Sequence, residues 1–262
     1  MFIRLLGPID ICHDNIVTVI GAPKRGAMLA SLALAANRPV PLPALVDTLW
    51  GDAAPPSALK NLRTHAHALR ALVDGRLLTR PSAYELRLDP EELDATLFLS
   101  LADRGAAALA AGDPCGAVAA HGEALSLWRD VSLPGTPRAG SLDATLTGLA
   151  ERRLAVFESY CDARLATGAT SELIPALRHH LGAHPYRERA WAALMVAQYR
   201  SGDLEASLAS FTGAEAILRE QLGVDPGREL IDLRQAILAR DPRLDLPRLR
   251  FSPTRVELLP RR

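Results

Sequence analysis

Ser57-Ala58-Leu59-Lys60-Asn61-Leu62-Arg63-Thr64-His65-Ala66-His67-Ala68-Leu69-Arg70-Ala71-Leu72-Val73-Asp74 is the stretch on which the reading of this chain turns. Its periodicity predicts a helix over 57–74. At about 100° per residue, Leu59, Leu62, Ala66, Leu69 and Val73 recur as one apolar stripe. Lys60, Arg63, Thr64, His67, Arg70 and Ala71 gather on the other side, and only Asp74, at the far end, is acidic there. Ser57 suits a cap or first-turn position. A helix of this kind buries one face and offers a compact basic and hydroxyl face to a major groove. There Arg or Lys reaches guanine edges or phosphates, and Thr meets a base or a thymine methyl. Basic outer faces on amphipathic helices are usually just solvated, so the surroundings of this helix decide its reading.

Upstream, residues 2–20 alternate in short β-branched runs broken by Gly7-Pro8 and by His13-Asp14-Asn15, which predicts a small antiparallel sheet. A helix follows from Lys24 to Asn37, and Pro39, Pro41 and Pro43 stop it. A second runs from Leu42 to Trp50 and ends at Gly51. Downstream, Leu77–Arg80 and Tyr84–Leu88 flank Pro81-Ser82-Ala83 as a β-hairpin that bears Arg80 and Arg87, with Arg76 just before it. Three helices and a hairpin form a winged helix-turn-helix plan, the hairpin placed for a backbone or minor-groove contact. Residues 60–80 carry five basic side chains and one acidic one, the local charge that a nucleic-acid face needs.

From Asp94 onward the chain becomes a series of amphipathic helices at about 94–111, 113–129, 141–167, 171–184, 186–201, 203–221 and 227–239. An internal repeat runs through them: Leu101, Gly112-Asp113 and Ala124 recur 90 residues later as Trp191, Gly202-Asp203 and Ala214. Trp191, Leu194, Gly202, Phe211 and Ala214 have the spacing of a tetratricopeptide unit, with Met195 where that repeat prefers glycine. The expected architecture is mainly α. A winged helix with small β-sheets occupies 1–90, an all-α tetratricopeptide-like domain occupies 91–240, and a Pro/Arg-rich mobile tail occupies 241–262.

Formal net charge is zero, with 30 basic and 30 acidic side chains, which read as a sum argues against nucleic acid. Divided along the chain it is +4 over residues 1–88, −8 over 89–239 and +4 over 240–262. Hydrophobic content of 48% with 23% charged residues is that of a globular protein. No apolar run suits a membrane span or an export signal. Cys12, Cys115 and Cys161 lie far apart, which fits a reducing cytoplasm. His180 and His184 have metal-pair spacing, but no further ligand follows, so a helix-end role is expected, with no metal and no cofactor. No phosphate loop, dinucleotide fingerprint or nucleophile elbow is present, so no enzyme activity is expected.

Several stretches, in order, resemble one family, the SARP-type transcriptional activators of antibiotic pathways. They include Phe2-Ile3-Arg4-Leu5-Leu6-Gly7-Pro8, Pro23-Lys24, Leu45–Gly51, Leu78-Thr79-Arg80-Pro81 with Tyr84, Ala124–Arg129, His184–Arg189, and Leu222–Gly227 with Glu229-Leu230. The resemblance covers about residues 2–241. It implies an OmpR-like winged helix joined to a bacterial transcriptional activator domain. It also implies a cytoplasmic, nucleoid-associated activator of a biosynthetic gene cluster that binds double-stranded DNA at promoter direct repeats. Protomers would sit side by side and help RNA polymerase holoenzyme engage, away from any membrane. The implied DNA contacts are Lys60, Arg63, Thr64, His67 and Arg70 on the reader helix, Arg80 and Tyr84 on the wing, and Lys24 with Arg25 at the first helix. This chain departs from the family at Ala68, Gly26 and Ala83, where arginine, a basic residue and glycine are usual. Those departures support a second reading, a degenerate member serving as a protein-interaction module without sequence-specific DNA binding.

Overall fold

The computed structural model describes residues 1–129 and 136–245. They form two compact units that divide between Ala163 and Arg164.

The first unit opens with a three-stranded antiparallel sheet, β1 (Phe2–Arg4), β2 (Asp10–His13) and β3 (Ile16–Val19), in that order. Asp14 and Asn15 close the β2–β3 hairpin at φ of 48° and 64°, the left-handed region that Asn and Asp tolerate best after glycine. Three helices follow: α1 (Pro23–Leu34), α2 (Leu42–Trp50) and α3 (Ala58–Arg70). Proline at the start of α1 and α2 costs no hydrogen bond, because the first helical N–H groups have no partner within the helix. The wing is a second sheet of β4 (Val40–Pro41), β5 (Leu77–Arg80) and β6 (Ala83–Leu86), in the order β4-β6-β5. Pro41, which sequence reading treats only as a helix stop, sits in this sheet's edge strand, where its missing N–H is tolerated.

The reader helix differs from its expected form at both ends. It stops at Arg70; Leu72 and Val73 lie in the turn beyond, and Asp74 and Gly75 reverse the chain at φ of 48° and 72°. Leu62, Ala66, Leu69 and Val73 are buried as the stripe requires, but Leu59 is 50% exposed and Ala58, at 6%, takes its place.

After a single 3-10 turn (Pro90–Glu92), closed by a reciprocal capping box between Asp89 and Glu92, come α4 (Asp94–Ala110), α5 (Pro114–Ser126) and α6 (Gly140–Ala166). One hydrophobic cluster runs from Ile3, Leu5 and Leu6 through Met28, Leu62 and Leu69 to Phe98, Trp128 and Val156. Polar bonds cross the same interior. The Asp94 carboxylate is 1% exposed and accepts from the backbone N–H of Leu5 (2.8 Å to both oxygens) and of Leu6 (2.9 Å). Arg129 donates from its backbone to Leu6 O at 2.8 Å and from its guanidinium to Asp10 at 2.7 Å and Pro8 O at 2.8 Å. The first helical pair is thus built into the same body as the winged helix.

The second unit carries α7 (Leu173–Ala183), α8 (Glu188–Arg200), α9 (Leu204–Leu222) and α10 (Arg228–Leu238), then a 3-10 turn at Pro242–Leu244. Within each unit the repeat makes the same hairpin. Gly112 at φ 76° and Gly202 at φ 86° turn the chain. Asp113 then caps α5 by accepting from Gly116 N, and Asp203 caps α9 by accepting from Ala206 N, each at 2.9 Å. Ala124 and Ala214 are both fully buried. Gly105 and Met195 are equivalent positions, as are His121 and Phe211. A Cβ on Gly105 would come within 2.4 Å of the His121 ring, so glycine is the residue that fits there. In the second copy Met195 and Phe211 fill one core cluster instead. Most of the expected tail, residues 246–262, lies outside the described residues.

Candidate nucleic-acid interface

Lys60, Arg63, Thr64 and His67 are exposed on one side of α3, opposite the buried stripe. Thr64 Oγ1 donates to Lys60 O at 3.2 Å. No acidic residue stands in the first turn of the helix. Together these side chains form a cationic and hydroxyl strip with one rigid backbone behind it.

Arg70 behaves differently. Its Nε donates to Leu77 O at 3.3 Å and its Nη2 to Thr79 Oγ1 at 2.6 Å, while the guanidinium lies 5.8 Å from the centre of the Tyr84 ring. It straps the end of the reader helix to the wing. Tyr84 is 6% exposed and belongs to the hydrophobic cluster. Arg80 Nε donates to Glu85 Oε2 at 2.7 Å, and this bond holds the Glu85 carboxyl below the usual carboxylate range. Arg87 approaches the same carboxylate at 3.4 Å, and Arg76 pairs with Glu92. Much of the wing's positive charge is therefore compensated internally.

Two of the three departures from the family pattern, Ala83 and Gly26, acquire physical reasons. The left-handed residue of the wing turn is Ser82, at φ 54°, so Ala83 lies unstrained in β6. Gly26 is buried, and a Cβ there would fall 2.7 Å from Ile9 Cδ1. No basic side chain fits at that position without displacing Ile9. Lys24 Nζ rests 4.7 Å from the centre of the Trp50 ring, a cation–π arrangement. Arg25 Nε and His65 Nδ1 are buried without a hydrogen-bond partner among the described residues. Burial, followed by the charges of Arg25 and Lys24, pushes His65 below the ordinary histidine pKa. The structure thus brings Lys24 and Arg25 near His65 on the inner side of α3, apart from the outward strip.

Two features escaped sequence reading. The strapping role of Arg70 needs Thr79 and the Leu77 carbonyl, which are distant in sequence. The exposure of Leu59 contradicts its helical phase. His180 and His184 ring centres lie 5.1 Å apart. Among the described residues no group of three or more His, Cys, Asp or Glu is placed to hold a metal ion. None of the described helices is long and apolar enough to cross a membrane.

A winged helix with an outward basic strip, continuing into paired helices, defines a class of nucleic-acid-binding architectures. The comparisons narrow it. The family model "Bacterial transcriptional activator domain" matches residues 93–238, and the chain belongs to that family. It is 34% identical to the regulatory protein DnrI of Streptomyces peucetius over 94% of both chains. It is 34% identical to the transcriptional regulator RedD of Streptomyces coelicolor over 98% of this chain and 77% of that one. The regulatory protein AfsR of Streptomyces griseus is 35% identical over 98% of this chain, which spans 26% of that longer relative. A solved structure of Mycobacterium tuberculosis EmbR, in complex with a low-affinity phosphopeptide, superposes with a TM-score of 0.86 at 30% identity, covering 92% of this chain and 65% of that one.

Proposed function

We propose that this protein is a transcriptional activator of a biosynthetic gene cluster that reads double-stranded promoter DNA with the outward face of α3. Protomers bind side by side on direct repeats and engage RNA polymerase holoenzyme. In this reading residues 1–90 make the DNA contacts, residues 91–240 pair protomers and face the polymerase, and the protein works in the cytoplasm on the nucleoid without cofactor or catalysis. The observation that carries the proposal is the strip of Lys60, Arg63, Thr64 and His67, exposed on a helix whose other face is core. A helix about 10–12 Å across fits a major groove of about 12 Å. The regulatory names of the relatives that the chain matches along most of its length support the same reading.

The same reading assigns roles within the site. Lys60, Arg63, Thr64 and His67 approach the groove; Lys24 and Arg25 approach phosphates at the flank. Arg70 holds the wing in register, and Tyr84 supports Arg70 from beneath. Arg80 approaches the backbone while shared with Glu85. A gel-shift titration of the intact chain against promoter fragments tests this. Binding should fall steeply with salt, and Arg63→Ala should weaken it by about 1–3 kcal/mol where Arg63 meets a base. The compensated wing charge favours the second reading, a protein-interaction module. No binding to any promoter fragment, with capture of a protein partner by the intact chain, would establish that reading instead.

A further inference from the structure

We propose that Leu59 is a specificity-determining residue that reads the C5-methyl group of a thymine in the major groove. This rests on the DNA-binding reading and adds a base to it. Leu59 is 50% exposed, on a helix whose other exposed side chains, Lys60, Arg63, Thr64 and His67, are all polar. It lies one turn before Arg63 on the same face, and its neighbour Lys60 is also exposed. It is the second residue of α3, and in helix-turn-helix proteins the N-terminal residues of the recognition helix contact base edges. Its side chain has no polar atom to give a base or a phosphate. The thymine methyl is the apolar group that a major groove displays, and apolar contact is how a side chain distinguishes it. Between Gly51 and Ala58 the only charged residue is Asp52.

The test uses the intact chain. Sites are first selected from a random duplex pool, and each thymine of the selected half-site is then replaced singly by uracil, which removes only the methyl group. The natural protein should bind about 3–10-fold more weakly at one or two positions, the size expected for one lost apolar contact. Leu59→Ala should bind thymine and uracil duplexes equally at those positions, and Leu59→Met should restore the preference. Lys60→Ala should weaken both duplexes while keeping it. Circular dichroism and the thermal midpoint of Leu59→Ala should match the natural chain, since half of this side chain already lies in water. The proposal is overturned if uracil is tolerated at every position by the natural protein, or if Leu59→Ala keeps the full methyl preference. Loss of cooperativity between protomers in Leu59→Ala, with the methyl preference unchanged, would assign Leu59 to a second copy of the chain and overturn it too. Failure to select any sequence would overturn the DNA-binding reading itself.

Discussion

Replacing Asp94 with alanine tests whether the N-terminal sheet and the helical pair are one body. Its carboxylate is the acceptor for the backbone N–H groups of both Leu5 and Leu6, in a site 1% exposed. Alanine leaves two buried donors without a partner, at about 1–3 kcal/mol each. It also removes an acidic group from the first turn of α4, worth about 0.3–1 kcal/mol against the helix dipole. Relief of the carboxylate's own desolvation opposes both, and that burial is the main cause of its raised pKa. The net expectation is a loss of about 2–4 kcal/mol. Urea unfolding followed by tryptophan fluorescence in a Trp191→Phe background reports the first unit, where Trp50 and Trp128 lie. The pH dependence has a definite sign. Because the folded pKa is raised, the folded state holds the proton more tightly than the unfolded chain. The penalty from Asp94 is absent below the unfolded value of about 3.9 and grows as pH rises through the folded pKa. The advantage of the natural protein over Asp94→Ala should therefore shrink between acid and neutral pH. A loss below about 1 kcal/mol, or an advantage that grows with pH, would refute this account of the contact.

Four further outcomes follow from the same contacts. Gly105→Ala forces a methyl group against the buried His121 ring, and should cost about 1–3 kcal/mol and lower the thermal midpoint. Glu85→Gln frees Arg80, so binding to duplex DNA should tighten and the slope of log affinity against log salt should steepen by about 0.9, one phosphate contact. Arg70→Met keeps the stem and removes the bonds to Leu77 and Thr79; amide exchange should rise across 77–86 while that of α3 stays unchanged. Arg63→Ala should relax preference at one base position, whereas Lys24→Ala should weaken all sequences alike in the same titration.

What could be read from sequence was whatever one element determines alone. Gly112-Asp113 and Gly202-Asp203 mark their hairpins because a left-handed glycine followed by a capping aspartate is a local device. The outward strip of α3 follows from 3.6-residue periodicity. What escaped depends on neighbours. Periodicity puts Leu59 in the stripe, but a stripe is buried only where something covers it, and Leu59 is left exposed while Ala58 beside it is buried. Arg70 and Arg80 look like free cations until the wing supplies Thr79 and Glu85. The wing's left-handed residue is one place earlier than a glycine pattern suggests, because Ser82 takes the strained angle.

The charge pattern changes meaning when it follows the compact units. The expected winged-helix domain ends at residue 90, yet Leu93 and Phe98 belong to the same core cluster as Ile3, Leu5 and Leu6. A fragment ending at residue 90 would expose that cluster and leave Leu5 and Leu6 N–H without Asp94. The compact unit that holds α3 is residues 1–163. It carries 15 basic and 18 acidic side chains, a net of −3. The reader strip is therefore a local cationic patch on an acidic body, not the face of a basic domain. Outside α3 and the N-terminus of α1, the charged side chains of residues 1–163 sum to a net of −8. Nonspecific affinity grows with the number of phosphates neutralised, so such a body favours docking in one orientation and limits binding to random sequence. Reversing that balance without touching α3, for example with Asp103→Lys and Glu123→Lys on the exposed sides of α4 and α5, should raise affinity for random duplex more than for a selected site. An equal rise for both would mean that the acidic body has no part in discrimination.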